Sequence, residues 1–280
     1  MTEKKFNYII SDIHGCYDEL IKLEEKIKDH SEEYKSDAFI ISVGDLVDRG
    51  NKSKEVVEHF FYGTQNKTHL AIMGNHELLM IQAIKEFAPF NFENIVYPEW
   101  LYSYEKNFRE KRSVSLLSSW ENYKNSTKNI WLNQGGVETL LSYNAKPNDY
   151  STWNISKEIL EYLINLDFCY EGESFIITHA LPFPKDLKTF KETSKENYDT
   201  VEFRNSAHSL LWNRIMPDEE ICENKLHISG HTPLKKAYKN TKANAIQIDT
   251  SCVFGGKLTA YCIETNNLIS VKSNKSYFAL

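Results

Sequence analysis

Apolar residues form three short runs in the first third of the chain, each followed by a polar break and then by apolar positions at helical spacing. "FNYIIS" (6 to 11) is β-branched and aromatic and stops at Asp12, after which "CYDELIKLEEKIKDH" (16 to 30) spaces Leu20, Leu23 and Ile27 along one helix face. "AFIISVGD" (38 to 45) leads through "LVDRGNKS" into "KEVVEHFFYG", and "HLAIMGN" (69 to 75) leads into "HELLMIQAIKEF". Three such units in succession predict a largely parallel sheet with helices packed on it.

From about Phe87 to Tyr170 the stretches become long, polar and aromatic-rich, with helical spacing and no clear strand, which predicts a helical insertion over 87–170. "SFIITHALPFP" (174 to 184) restores a strand ending in His179, and "KLHISGHTP" (225 to 233) gives another ending in His231. Between them "KDLKTFKETSKENYDT" (185 to 200) reads as a polar loop. The segments "NAIQIDTS", "GKLTAYCIE" and "NLISVKS" alternate with Gly and Asn turns as an antiparallel meander would. No repeat or low-complexity linker divides the chain, so residues 1–280 are expected to form a single domain.

Composition changes this picture little. A chain of 280 residues with 41% hydrophobic and 26% charged residues is an ordinary globular sequence with ample material for a core, and its net charge of -6 argues against coating nucleic acid. Five scattered cysteines without a CxxC pair suggest neither a disulfide framework nor a zinc ribbon. With no signal-like or membrane-spanning apolar run, a cytoplasmic protein without a membrane partner is expected.

Ligands of open α/β sheets gather beyond the carboxyl ends of the strands. Those ends carry Asp12 with His14, Asp45 with Asp48 and Arg49, Asn75 with His76 and Glu77, then His179 and His231. Asp12, His14, Asp45, Asn75, His179 and His231 offer oxygen and nitrogen donors without thiolate, a set suited to Mn²⁺, Fe or Zn²⁺. A carboxylate such as Asp45 can bridge two ions, the geometry that clamps both oxygens of a phosphoryl displacement.

The ordered motifs "SDIHG", "VGDLVDRG", "MGNHE", "ITHA" and "SGHTP" resemble the calcineurin-like metallophosphoesterases, and within them the phosphoprotein phosphatase branch with its compact bacterial and phage members. The resemblance implies a four-layer α/β/β/α fold, a β-sandwich of two mixed sheets flanked by helices. It implies two divalent ions, manganese first with iron or zinc as alternatives. Asp12, His14 and Asp45 would hold one, and Asp45, Asn75, His179 and His231 the other. His76 paired with Asp48 would be the general acid, and Arg49, Asn75 and Arg214, the last in "LLWNR", would hold phosphate oxygens.

The chemistry of these residue types agrees. Two cations lower the pKa of a shared water, so hydroxide can attack phosphorus in line without a covalent intermediate. Guanidinium forks match phosphate geometry, and a histidine beside a carboxylate stays oriented for protonation near pH 7. An N-cap role would account for Asp12 or Asp45 alone but not for the company they keep.

Other positions read more plainly. Glu77 suits a first-turn helix charge or a support beneath the ligands, Asp249 a strand-end turn or a partner orienting a histidine, and Cys16 a small packed hydrophobe. His30, His59, His69, His208 and His227 have no motif around them and read as surface or core histidines. Trp100, Trp120 and Trp131 suggest that the insertion packs on the core as a cap.

The expected activity is hydrolysis of phosphoserine and phosphothreonine in proteins, with dinucleoside polyphosphates such as diadenosine tetraphosphate as the alternative substrate. Symmetrical enzymes of the latter kind tend to read GDLVARG where this chain has "GDLVDRG", so Asp48 tilts the reading towards a protein phosphatase. A non-enzymatic scaffold would need a broken ligand, and none of the six is broken.

Overall fold

The computed structural model describes residues 5–91, 94–112, 128–193 and 198–278, the side chains of Phe90 and of 106–112 excepted. The three expected units are present: β1 (Lys5–Ile10) and α1 (Tyr17–Glu33), β2 (Asp37–Ser42) and α2 (Ser53–Gln65), β3 (His69–Ala71) and α3 (Asn75–Phe87). Helix α4 (Glu99–Arg112), a wide π turn (Leu132–Gly136), α5 (Val137–Ser142) and α6 (Lys157–Ile164) follow in the insertion. Then come β4 (Cys169–Glu171), β5 (Phe175–Thr178), α7 (Pro184–Glu192), α8 (Val201–Trp212), β6 (Leu226–Ser229), β7 (Tyr238–Asn240), β8 (Ala245–Gln247), β9 (Lys257–Cys262) and β10 (Leu268–Lys272).

These strands form two mixed sheets of five, ordered β10-β9-β1-β2-β3 and β4-β5-β6-β8-β7, with helices flanking them. Alternation along the strands explains the sandwich. In β1, Tyr8 and Ile10 face one core cluster, shared with Leu20, Leu23 and Val57 of the helices, while Ile9 faces another. That second cluster joins Ile41, Val43 and Ile72 to Phe175, Ile177, Ile228 and Ile246, the inner faces of the two sheets. Both faces of these strands are buried, which is why they read as continuous apolar runs rather than alternating ones.

Four expectations need correction. The parallel set β1, β2, β3 is part of a mixed sheet, because β9 pairs antiparallel with β1 and β10 with β9. The last segments are not one meander: β8 runs parallel to β6 and antiparallel to β7 in the second sheet, whereas β9 and β10 form a hairpin in the first. The polar stretch after Pro184 begins with helix α7, in which Leu187 is buried and Phe190 packs on Phe168 and Phe203; its residues 194–197 lie outside the described ones. Cys169 and Tyr170, assigned to the strandless insertion, belong to the strand Cys169–Glu171, which pairs with β5 at the edge of the sheet. Trp120 lies outside the described residues, whereas Trp100 and Trp131 are buried, as a packed cap requires.

Candidate active site

The loops after β1, β2, β3, β5 and β6 converge. Neither aspartate is a helix cap: α1 starts behind Cys16 and α2 behind Lys52, leaving Asp12 and Asp45 to the loops. These loops are strained, with His14, Asp45, Asp48, Arg49 and His231 all at φ between 46° and 74°. Left-handed conformations in non-glycine residues cost of the order of 1–3 kcal/mol each and persist where surroundings over-determine them.

Glu77 supplies much of that determination. Its buried carboxylate accepts the N–H groups of Gly74 and Asp45 at 2.9 Å, Leu46 at 2.8 Å and Val47 at 3.2 Å, tying the second loop to the first turn of α3. Burial pushes its carboxyl up to about 7 against the pull of those backbone donors.

Asp45 lies at the centre. Its Oδ2 is 3.3 Å from His14 Nε2, and its Oδ1 is 3.5 Å from His179 Nε2 and accepts the His76 N–H at 3.1 Å. Asn75 Oδ1 lies 2.8 Å from His179 Nε2 and 3.0 Å from His231 Nδ1, and those two nitrogens are 3.1 Å apart. Asp12 accepts the His231 N–H through both oxygens, at 2.9 and 3.1 Å, and its Oδ1 is 4.0 Å from His179 Nδ1. Backbone carbonyls orient the rings: His14 Nδ1–H donates to Val47 at 2.8 Å and His179 Nδ1–H to Val43 at 2.9 Å.

Each Nε2 therefore presents a lone pair to carboxylate or amide oxygen. Acceptors packed against acceptors fit positive ions between them, and the O/N donors fit divalent metals. The electrostatics agree. Burial, then Asp249, holds Asp12 well above the ordinary carboxylate range, and burial with the charges of Glu77 and Asp12 does so for Asp45. Burial, then the Arg49 charge, holds His14 well below its ordinary value; burial lowers His179 to about 3 and keeps His231 neutral as well.

Beside this cluster His76 Nδ1–H donates to Asp48 Oδ2 at 2.6 Å. Asp48 Oδ1 accepts from Trp131 Nε1 at 3.1 Å and Thr139 Oγ1 at 2.8 Å, both from the insertion. Burial raises Asp48 to about 7, although Thr139, Trp131 and Arg49 pull it down, and burial then Arg49 keeps His76 well below its ordinary value. The Arg49 fork reaches His14 Nε2 at 2.6 Å and His76 Nε2 at 2.8 Å, with Gln134 Oε1 at 3.4 Å and the Phe254 ring centroid 5.4 Å away. Its backbone N–H donates to Gly135 O at 3.2 Å, and Gly135, at φ +113°, sits so close that a Cβ would overlap the Arg49 nitrogen. Arg214 follows α8 in exposed position, and its charge acts on His76, His179, His231 and Asp249.

Nine of the ten sequence candidates are thus linked by direct contacts, and Arg214 acts on them through its charge. Asp249 accepts the Ser251 N–H at 2.8 Å, the turn rather than the histidine-orienting alternative, and Cys16 is fully buried. Thr139, Gln134 and the bond from Trp131 to Asp48 were not anticipated, because they depend on sequence-distant packing; the "NQGG" break at 133–136 was the one visible signal.

Residues 8–269 match the family model for calcineurin-like phosphoesterases. The chain is similar to the asymmetrical bis(5'-nucleosyl)-tetraphosphatase PrpE of Bacillus velezensis, 25% identical over 97% of this chain and 94% of that one. It is also similar to the symmetrical bis(5'-nucleosyl)-tetraphosphatase of Pasteurella multocida, 24% identical over 96% and 98% of the two chains. Among solved structures, a candidate diadenosine tetraphosphatase aligns with TM-score 0.51 at 18% identity over 96% of this chain and 93% of that one. A serine/threonine phosphatase from Saccharomyces cerevisiae aligns with TM-score 0.51 at 11% identity, over 100% of this chain and 81% of that one. Both structural likenesses speak to the fold alone.

Proposed function

The chain belongs to the calcineurin-like phosphoesterases and is a metal-dependent hydrolase, and from that premise we propose that it cleaves the phosphoanhydride chain of dinucleoside polyphosphates such as diadenosine tetraphosphate. The observation that carries this reading is full-length similarity to tetraphosphatases of both symmetrical and asymmetrical kinds, combined with a donor cluster centred on Asp45. Hydrolysis of phosphoserine and phosphothreonine in proteins is the second reading. One contact favours it, the short His76 to Asp48 hydrogen bond, because a protonatable imidazole serves a poor alkoxide leaving group best.

In this account Asp12, His14 and Asp45 hold one divalent ion and Asp45, Asn75, His179 and His231 the other, with manganese the first choice and iron or zinc next. When bound, such ions neutralise phosphate charge and make a nucleophilic water available at neutral pH. Arg49 offers phosphate oxygens the fork that now meets two imidazole lone pairs, and Arg214 and the Asn75 amide approach the same group. Water oxygen attacks phosphorus and loses a proton to solvent as the opposite P–O bond breaks; His76, which takes up a solvent proton at Nε2 once substrate draws the Arg49 fork away, gives that proton to the leaving oxygen, while Asp48 keeps the ring oriented. Trp131 and Thr139 hold Asp48 itself.

Steady-state kcat/KM for diadenosine tetraphosphate and for a phosphothreonine peptide, measured side by side with Mn²⁺, tests the substrate. The dinucleotide is expected to be the better substrate by at least about tenfold, or 1.4 kcal/mol of barrier. A preference for the peptide would replace the first reading with the second.

A further inference from the structure

Two histidines without any motif around them, His59 and His69, meet Glu24 away from the catalytic cluster. Glu24 lies on α1, His59 on α2 and His69 at the start of β3. Glu24 Oε1 is 2.8 Å from His59 Nε2 and 3.3 Å from His69 Nε2, and the two rings stand edge to face with centroids 4.9 Å apart. All three ligand atoms lie within 4.8 Å of one another. We propose that Glu24, His59 and His69 form a second metal site that takes a zinc ion, separate from the phosphoesterase centre.

The hydrogen bonds point that way. Thr68 Oγ1 donates to the Gly63 carbonyl at 3.2 Å, a group that can only accept, so the hydroxyl takes the His69 Nδ1–H at 2.8 Å. His69 Nε2 then turns a lone pair towards a carboxylate oxygen, and a positive centre between the two resolves the repulsion. Among the described residues the ion pairs of Glu24 are with these two imidazoles, so no lysine or arginine supplies that centre. Although burial acts to raise it, the contacts with His59 and His69 hold the Glu24 carboxyl below its ordinary value, which keeps the ligand ionised.

Donor chemistry and geometry suit zinc. Two imidazoles and one carboxylate, with a water as fourth ligand, are a zinc set, and bonds of about 2.1 Å separate tetrahedral donors by roughly 3.4 Å. The 3.3 Å contact already matches, and the 2.8 Å contact must open by about 0.6 Å. Side-chain exposures of 22% for His59, 19% for Glu24 and 11% for His69 leave the site open to an entering ion. The His69 ring sits against Gly63 of α2, where a Cβ would overlap it, so the chain leaves room for the imidazole at this point. α1, α2 and β3 are the elements next to the "DIHG", "GDLVDRG" and "GNHE" loops, and an ion clipping them together stiffens the frame behind those loops.

The test is retained zinc per chain after Zn²⁺ loading and gel filtration of the full-length protein, read by mass spectrometry for wild type, Glu24→Gln and His69→Gln. Glu24→Gln is nearly isosteric and keeps a hydrogen-bond acceptor for His59, so it reports even if His69→Gln folds poorly. Each variant is expected to hold one zinc fewer than wild type, and the Zn²⁺-induced rise in Tm to shrink, while Mn²⁺-supported hydrolysis by Glu24→Gln stays within about twofold. Equal zinc content in wild type and Glu24→Gln overturns the proposal. Because the readout is a difference in zinc at a non-catalytic cluster, it is independent of which phosphate ester the enzyme prefers.

Discussion

His76 can protonate a leaving oxygen only from Nε2, and that nitrogen now accepts from Arg49 while Nδ1–H is held by Asp48 at 2.6 Å. A phosphate that draws the Arg49 fork away frees Nε2 and removes the charge that helps keep the imidazole neutral. A positioned acid is worth about 10² to 10⁴ in rate, and it matters in proportion to the basicity of the leaving group. His76→Asn should therefore slow hydrolysis of an alkyl phosphate far more than that of p-nitrophenyl phosphate, with metal content unchanged. Equal slowing of both substrates together with metal loss would make His76 a ligand. At this scale the sequence was highly legible, since nine of the ten candidates stand in short motifs at strand ends and Arg214 in a short motif after helix α8. Trp131 and Thr139 were not, because a donor reaching Asp48 from more than 80 residues away leaves no local pattern.

The loop after β2 keeps three residues in left-handed conformation, Asp45, Asp48 and Arg49, and Glu77 pays for part of that strain by accepting four backbone N–H groups across α3 and the loop. Glu77→Gln replaces one acceptor oxygen by a donor and orphans at least one buried N–H, at about 1–3 kcal/mol for each group left unpaired. The variant should show a lower Tm and weaker metal loading, both readable by calorimetry; a Tm equal to wild type would show the loop to be held elsewhere. Glu77 was read from sequence as a helix charge or a support, and its four bonds identify the support. The three strand and helix units were plain from periodicity. Helix α7 was hidden because only Leu187 is buried on it, and the final strands were misjoined because periodicity does not say which sheet a strand enters.

Across the whole molecule the buried charges set a definite pH dependence. Carboxyls held above their ordinary values, Asp48 and Glu77 at about 7, Asp249 at about 6 and Asp12 and Asp45 well raised, contribute stability that is fully present below pH of about 4 and lost as pH rises through the folded values. Buried neutral imidazoles, His14, His76, His179, His227 and His231, do the reverse: their stability is present above about 6.5 and lost as pH falls through the lowered folded values. The two sets oppose each other between about 4 and 6.5, and above that only the carboxyls still titrate. The Tm of chelator-treated protein should accordingly fall from pH 6.5 to 8.5, and the gain on adding Mn²⁺ should grow over the same range. A rising Tm would contradict this electrostatic balance. No helix among the described residues is long and apolar enough to cross a membrane.

The central claim is that Asp45 serves two divalent ions at once, and a Mn²⁺ titration of diadenosine tetraphosphate hydrolysis by chelator-treated protein, wild type beside Asp45→Asn, tests it most directly. The account predicts no turnover without metal, recovery of the wild type as Mn²⁺ is added, and a loss of at least about 10³, or roughly 4 kcal/mol, in Asp45→Asn at every concentration. Full activity in the metal-free wild type, or an Asp45→Asn curve that overlays it, would contradict the account.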